Sequence, residues 1–321
     1  MRILIVGAGA MGCRYGLALH LSGCEVTLYD VNRAHIDAVA ANGLEVHSDG
    51  RVETHRIRAV SSIPDTDRFE YIFIFTKALH TASAVESLLP VLDRNTSLVT
   101  LQNGLGNIET ISRFAPSSSV IAGTTNYAAA YLGPGRIDAN GSGITKLQCV
   151  SGADRSVAER LAAALEAGGI RTVVVDDIER QIWCKVAFNA ALNTLTAITG
   201  LTVGNVGSTP EALETAFLVA KDVAKVARSK RIPLSDEEVC DAIRSVMSPG
   251  MSSTHRPSML QDVLAKRKTE IESICGKVLE TGVSTGTETP YLRAVHNLVR
   301  AIESNYSNRI YQGGSDDASI R

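Results

Sequence analysis

The sequence predicts an α/β fold: an N-terminal doubly wound, mostly parallel sheet followed by an all-helical C-terminal domain. Three observations predict it. Short β-branched runs alternate with helical patterns from residue 1 to about residue 175, a glycine-rich turn sits between the first run and the first helix, and nearly everything from "VVVDDIERQ" to Asn305 has helical periodicity. With 321 residues and 45% hydrophobic composition, the chain can bury a sizeable core and exceeds a typical single domain. Two domains are therefore expected, 1–175 and 176–321.

In chain order, "RILIV" is the first strand, "MGCRYGLALHLSG" the first helix and "EVTLY" the second strand, followed by a helix beginning near Asn32. The runs "YIFIFT", "SLVTL", "SVIAG" and "RTVVV" complete the parallel set, because β-branched stretches separated by helical ones require crossover connections. Two segments break the alternation. "LEVHSDGRVETHRIRAV", Leu44 to Val60, reads as a hairpin or irregular insertion. "YLGPGRIDANGSGITKLQCV" is rich in turn signals and is expected to form antiparallel strands appended to the sheet. The helical part is interrupted at "GLTVGNVGSTP", "RIPLSD" and "SPGMSSTHRPS". The polar tail "SNRIYQGGSDDASIR" is expected to be poorly ordered at its end.

Bulk properties exclude several classes. Lys and Arg number 32 against 34 Asp and Glu, and a net charge of −2 gives no electrostatic case for nucleic acid or an anionic membrane surface. A small molecule is the expected partner. The six cysteines, Cys13, Cys24, Cys149, Cys184, Cys240 and Cys275, fall singly with no C-x-x-C and no nearby His cluster. Neither a metal site nor a disulfide framework is indicated, and a reducing, cytoplasmic setting is expected. The start "MRILIVGAGAMG" lacks the h-region of a signal peptide, and no apolar run approaches the roughly 18 residues of a membrane span. No heptad run or apolar surface stripe declares an oligomer, and a homodimer stays open.

Gly7-Ala8-Gly9-Ala10-Met11-Gly12 fits G-x-G-x-x-G in the setting where that pattern has a mechanism, after a strand and opening a helix. The first glycine permits the tight turn, the second lets backbone approach a pyrophosphate, and the third allows close helix–sheet packing beside the positive helix end. This predicts a dinucleotide-binding Rossmann domain over 1–175. Strand "EVTLY" leads to Asp30, 18 residues past Gly12, where a carboxylate accepts hydrogen bonds from adenosine ribose hydroxyls and repels a 2′-phosphate. Asp30 therefore favours NAD over NADP, although Arg33 follows closely and could meet such a phosphate. In a purely structural role Asp30 would N-cap the helix beginning near Asn32. Lys77 in "IFTKALHT" and Asn103 in "VTLQNGLG" lie at the carboxyl ends of other predicted strands, the edge where open α/β sheets bind ligands.

In "QIWCKVAFNAALNTLTAITG", Lys185, Asn189 and Asn193 recur every four residues, and each such step on an α-helix turns by about 40°, so the three form one stripe. Trp183, Val186, Phe188, Leu192 and Leu195 flank it, so the stripe is too narrow for an ordinary solvated face and suits a wet cleft. A lone lysine is ordinarily solvated or ion-paired, but two in-phase asparagines on an apolar helix favour a functional role. His255 and His296 lack companions at dyad spacing and read as structural or surface residues. Lys266-Arg267-Lys268 reads as an exposed helix turn.

At these residues the sequence resembles the ketopantoate reductase family. The likeness runs from Met1 to about Glu303 and rests on "GAGAMG", the "TK" of "IFTKALH", "LQNGLG", "AYLGPGRI", "WCKVAFNAALNTLTAITG" and "RPSMLQDVLAKRKTEIESICGKV", in that order. It implies a Rossmann domain followed by a helical substrate domain, an active site in the cleft between them, and the family's usual NADP. Residue by residue, it implies Lys185 as the catalytic lysine, Asn189 and Asn193 as substrate contacts, and Ser258 and Glu270 as the substrate-binding serine and glutamate. It also implies Asn103 between cofactor and substrate, and Glu270 either on a substrate hydroxyl or holding Lys185 in place. The chemistry is consistent: hydride delivery to a ketone carbon builds charge on oxygen, and an ammonium both stabilises and quenches that charge. Asparagines orient carboxylate and carbonyl without compensating the lysine charge.

The chain departs from the family pattern at Asp30, where a basic residue is usual, and at His80, Glu272 and Cys275, where Gln, Asp and Asn are frequent. The implied activity is reduction of 2-dehydropantoate to (R)-pantoate, a step towards pantothenate and coenzyme A. The departures keep a second reading open, an NAD-dependent (R)-2-hydroxy acid dehydrogenase acting on another branched or aromatic 2-oxo acid. A third, of another class, is a non-catalytic nucleotide-binding sensor, which would have no need of a proton donor.

Overall fold

The computed structural model describes residues 1–116, 118–151, 154–247 and 256–308. The chain divides into two compact units, Met1–Lys185 and Val186–Arg321. The first holds strands β1 (Arg2–Val6), β2 (Glu25–Tyr29), β3 (Leu44–Ser48), β4 (Arg51–His55), β5 (Arg58–Val60), β6 (Tyr71–Ile74), β7 (Ser97–Thr100), β8 (Ser119–Thr125), β9 (Ala130–Gly133), β10 (Arg136–Asp138), β11 (Thr145–Ser151) and β12 (Thr172–Val174). Its helices are α1 (Ala10–Leu21), α2 (Arg33–Asn42), α3 (Thr81–Leu88), α4 (Asn107–Phe114) and α5 (Arg155–Ala167).

The main sheet has the order β12-β11-β8-β7-β6-β1-β2-β5, with every pair from β8 to β5 parallel. Strand β1 explains why its sequence is apolar without interruption. Ile3 and Ile5 join one core with Tyr15, Leu28 and Leu165, whereas Leu4 and Val6 join the other with Ile72, Val85 and Ile111. Successive side chains enter opposite faces, and helices cover both.

Two sequence expectations are corrected in part. Strand "RTVVV" is parallel to β11, but β11 is antiparallel to β8, so β12 runs against the principal direction. Of the segment expected to extend the sheet, only β11 does so; β9 and β10 join the β3–β4 hairpin in a separate sheet, β4-β3-β10-β9. The reason is non-local, since β10 pairs in parallel with β3, a partner no local pattern reveals. The hairpin itself turns at Asp49-Gly50, both with positive φ, as a two-residue loop with right-handed strand twist demands.

Helix α6 (Ile178–Thr199) carries the boundary between the units. Beyond it lie α7 (Val203–Ser208), α8 (Pro210–Ser229), α9 (Asp236–Ser245), α10 (Ser258–Leu264), α11 (Lys277–Thr285) and α12 (Pro290–Ser304), with no strand among the described residues. The expected break "GLTVGNVGSTP" holds the short α7, because Thr202 caps it by accepting from Asn205 N–H at 3.4 Å. At "RIPLSD" the chain does leave the helix, and Ser235 caps α9 through Glu238 N–H at 3.1 Å. Most of "SPGMSSTHRPS", with His255, and the tail from residue 309 lie outside the described residues. Among the described residues no helix is long and apolar enough to cross a membrane.

One buried carboxylate yields a stability prediction. Asp222 of α8 accepts Leu292 N–H at 3.0 Å at the start of α12. Burial raises its pKa, opposed by the amides of Leu292 and Tyr291 and by Lys225. A carboxyl raised on folding favours the folded state when protonated, and that contribution fades as pH rises through the folded value. Asp222→Asn, which keeps an acceptor and removes the buried charge, should therefore gain on the parent protein between about pH 3 and pH 7. Asp222→Ala should cost about 1–2 kcal/mol through unmet α12 amides. Urea unfolding at both pH values checks each; an Asn variant that loses ground on the parent as pH rises would contradict the first.

Candidate active site

After β1 the chain turns at Gly7, φ +91°, where a Cβ would lie 2.7 Å from both Phe75 C and Thr76 N. The amides of Gly7 and Ala8 both donate to Tyr29 O, at 2.9 and 3.2 Å, tying the turn to the end of β2. Gly12 packs more tightly still, for its Cβ would stand 2.2 Å from Gly7 O. Around Gly9 the space is open, with no atom within 4 Å of a Cβ, and Gly9 caps α1 without a side-chain hydrogen bond. The first-turn amides of α1 lack intrahelical acceptors, so this open helix end fits the pyrophosphate of a dinucleotide.

At the end of β2, Asp30 accepts Asn32 N–H at 2.9 Å, and Asn32 in turn caps α2 by accepting His35 N–H at 3.3 Å. The capping role considered for Asp30 thus belongs to Asn32. Helix α2 begins two residues later than an Asp30 cap would set it, which leaves the half-buried Asp30 carboxylate beside the glycine turn.

Strands β2, β1, β6, β7 and β8 are neighbours and parallel, so the segments that follow them share one sheet edge in that order. Along it come Asp30, the turn Gly7–Gly12, Lys77 and Asn103 after β2, β1, β6 and β7, and at about 4.8 Å per strand these four sites span about 14 Å, or about 19 Å out to β8. Lys77 precedes a turn of 3₁₀ helix, its carbonyl accepting His80 N–H at 2.8 Å. Asn103 O accepts from Asn107 Nδ2 at 3.1 Å. Gln102, overlooked in the sequence, locks the neighbouring loops together: its Nε2 donates to Thr76 O at 2.6 Å and to Thr81 Oγ1 at 2.9 Å. A cavity of about 240 Å³ opens beside Asn103, with Gln102, Gly104, Asn107, Ile182 and Trp183 in its wall.

Lys185 is half-buried, and its Nζ donates to Thr125 O, the last residue of β8, at 2.7 Å. The ammonium therefore stands at the end of the row opposite Asp30. Thr125 is itself braced. Its Oγ1 accepts Tyr127 N–H at 3.1 Å and Thr145 Oγ1 at 3.3 Å, and Thr145 Oγ1 meets Tyr15 OH at 2.5 Å. Burial pushes the Tyr15 phenol up to about 12, so it stays protonated. Arg14, buried, donates to the carbonyls of Ala128, Asn140 and Gly141 and lies 4.6 Å over the Tyr127 ring. Helix α1 thus braces the strand end that holds Lys185. Only an Arg-Tyr pair inside the apolar run "MGCRYGLALHL" hints at this in the sequence.

Asn189 and Asn193 continue the Lys185 stripe along α6 and are 6% and 5% exposed. Both belong to the second unit, as do Ser258, the exposed first residue of α10, and Glu270, half-buried in a bend before a π-helical turn over Glu272–Gly276. Glu272 is engaged by Arg300 and by His296, whose Nε2 lies 3.4 Å from Oε2. The run Lys266-Arg267-Lys268 is not a helix turn. Helix α10 ends at Leu264, Lys266 takes the left-handed φ of +54°, and Arg267 Nε lies 3.0 Å from the buried Asp262 carboxylate.

Residues 3–152 match the family model "Ketopantoate reductase PanE/ApbA", and residues 177–303 match its C-terminal counterpart. A 2-dehydropantoate 2-reductase of Lactococcus lactis is 31% identical over 306 residues, 94% of this chain and 98% of that protein. One of Archaeoglobus fulgidus is 32% identical over 304 residues, again 94% and 98%. Among solved structures, D-mandelate dehydrogenase with NADH and anilino(oxo)acetate aligns with a TM-score of 0.92 at 31% identity, covering 96% of this chain and 100% of that one. A PanE/ApbA family ketopantoate reductase from Ralstonia eutropha gives 0.85 at 29% identity, with 96% and 100% covered.

Proposed function

Because the chain belongs to the ketopantoate reductase family and is an NAD(P)-dependent dehydrogenase of that kind, we propose that it reduces the 2-oxo group of 2-dehydropantoate to give (R)-pantoate for pantothenate biosynthesis, with Lys185 as general acid. The sensor alternative falls away with that membership. The observation that carries the reading is the Lys185 ammonium, held by the Thr125 carbonyl at 2.7 Å. A bound nicotinamide supplies the hydride. An ammonium has three hydrogens, so Lys185 can keep its bond to Thr125 O and still offer a proton to the substrate oxygen. The carbonyl orients the amine without neutralising it, as a carboxylate would. Gly7, Ala8, Gly9, Ala10, Met11, Gly12, Asp30 and Lys77 are assigned to the cofactor and Asn103 to both cofactor and substrate. Asn189, Asn193 and Ser258 are assigned to the substrate, and Glu270 to catalysis. A cytoplasmic setting accords with six free thiols.

A second reading keeps this machinery and changes the substrate to an aromatic or branched 2-oxo acid, as an NADH-dependent (R)-2-hydroxy acid dehydrogenase. The likeness to D-mandelate dehydrogenase with NADH favours it, as does Asp30. Initial rates with NADH and NADPH on 2-dehydropantoate, 2-oxoisovalerate and benzoylformate decide. If 2-dehydropantoate turns over far more slowly than the other two, the first reading fails. We expect NADH to be preferred by about tenfold or more, since the Asp30 carboxylate repels a 2′-phosphate, and Asp30→Ala to narrow that gap. An unchanged ratio in the variant removes Asp30 from cofactor choice.

A further inference from the structure

A chain of three buried hydrogen bonds runs into the glycine turn from behind. Gly135 N–H donates to His35 Nδ1 at 3.0 Å. An amide can only donate, so Nδ1 is an acceptor and the neutral ring carries its hydrogen on Nε2. That nitrogen stands 3.4 Å from Cys13 Sγ, and Sγ stands 3.1 Å from Ala8 O, to which the thiol donates. The direction runs from Gly135 to His35, from His35 to Cys13 and from Cys13 to Ala8, and the Ala8 backbone also faces His35 directly. Burial holds His35 neutral by lowering its pKa and keeps Cys13 a thiol, pushed up to about 12.

We propose that His35 and Cys13 are positioning residues that aim the Gly9 amide at the dinucleotide pyrophosphate. The Ala8 carbonyl and the Gly9 N–H belong to one peptide plane, which is trans, so they point in opposite directions. Fixing the carbonyl on Cys13 turns the amide to the opposite side, and Gly9 is not crowded, since an added Cβ would meet nothing within 4 Å. The Ala8 N–H is held separately on Tyr29 O at 3.2 Å, so both peptide planes of this residue are set by partners outside the turn. The far end of the relay is Gly135, in the turn between β9 and β10, where an added Cβ would stand 3.1 Å from Ala38 Cβ of α2. The second sheet thereby anchors α2 and, through His35, the glycine turn. Neither Cys13 nor His35 needs to touch the cofactor.

The inference rests on the glycine turn being the dinucleotide site, and NADH titration separates the two. Failure of the parent protein to bind NADH or NADPH would sink that reading. If the parent binds, Cys13→Ala and His35→Phe should each weaken NADH by about tenfold, read as Kd and as KM for NADH, because the amide loses its fixed direction. The change in kcat at saturating NADH and in KM for the 2-oxo acid should stay below about twofold. Cys13→Ser, whose hydroxyl can accept from His35 and donate to Ala8 O, should bind within about threefold of the parent, and the Cys13→Ala/His35→Phe pair should lose no more than either alone. NADH affinity unchanged in Cys13→Ala, or Cys13→Ser as weak as Cys13→Ala, overturns the proposal. Should His35→Phe fail to fold, the two Cys13 variants decide alone.

Discussion

Replacing Lys185 by alanine is expected to lower kcat by about 10² or more, because the variant has neither a charge to meet the developing alkoxide nor a proton to give it. Binding of NADH should change little, since the amine stands at the β8 end of the row and Asp30, proposed above to meet the ribose, at the β2 end. Lys185→Arg separates the two parts of the effect. A guanidinium keeps the charge but does not release its proton at neutral pH, so this variant should also remain well below the parent. Near-complete activity in Lys185→Arg would leave the lysine an electrostatic role alone, and comparable activity in Lys185→Ala would remove it from the mechanism. Stopped-flow single turnover, which isolates the chemical step, is the measurement to use.

The second large effect is expected at the glycine turn, where two substitutions should part company. In Gly12→Ala the new methyl would stand 2.2 Å from Gly7 O and 3.1 Å from Gly7 C. Both contacts are backbone, so α1 must shift away from β1, at a cost of about 2–4 kcal/mol in stability together with loss of cofactor affinity. Gly9→Ala meets nothing within 4 Å, and its folding stability should stay within about 0.5 kcal/mol of the parent. Its methyl nevertheless fills the space a pyrophosphate would enter, so NADH affinity should fall by about tenfold or more. Thermal unfolding and NADH titration on both variants check this. Equal NADH affinity in Gly9→Ala and the parent would move the pyrophosphate elsewhere.

Much of this was legible in short windows of sequence. "RILIV" followed by the glycine pattern announces a strand, a turn and a helix end, since each rests on backbone geometry within a dozen residues. The row Asp30, glycine turn, Lys77, Asn103 follows from reading each as the end of a parallel strand, and strand order supplies the spacing. The four-residue period of Lys185, Asn189 and Asn193 is likewise local, and α6 carries it unbroken. Where local reading misled, a distant partner had decided. Strands β9 and β10 left the main sheet because β3 offers β10 a parallel edge.

By itself, then, the sequence determined the α/β class, the helical second half, the glycine turn with its acidic neighbour, and the phase of the polar stripe. All of these depend on periodicity and on which backbone angles a residue permits. Only the tertiary structure decided what the polar atoms meet. Lys185 finds its carbonyl 60 residues away, His35 its amide 100 residues away, and Arg14 the Ala128 carbonyl 114 residues away. A buried donor takes whichever acceptor the packed chain brings within about 3 Å, and that depends on how distant segments come together, which no local window encodes.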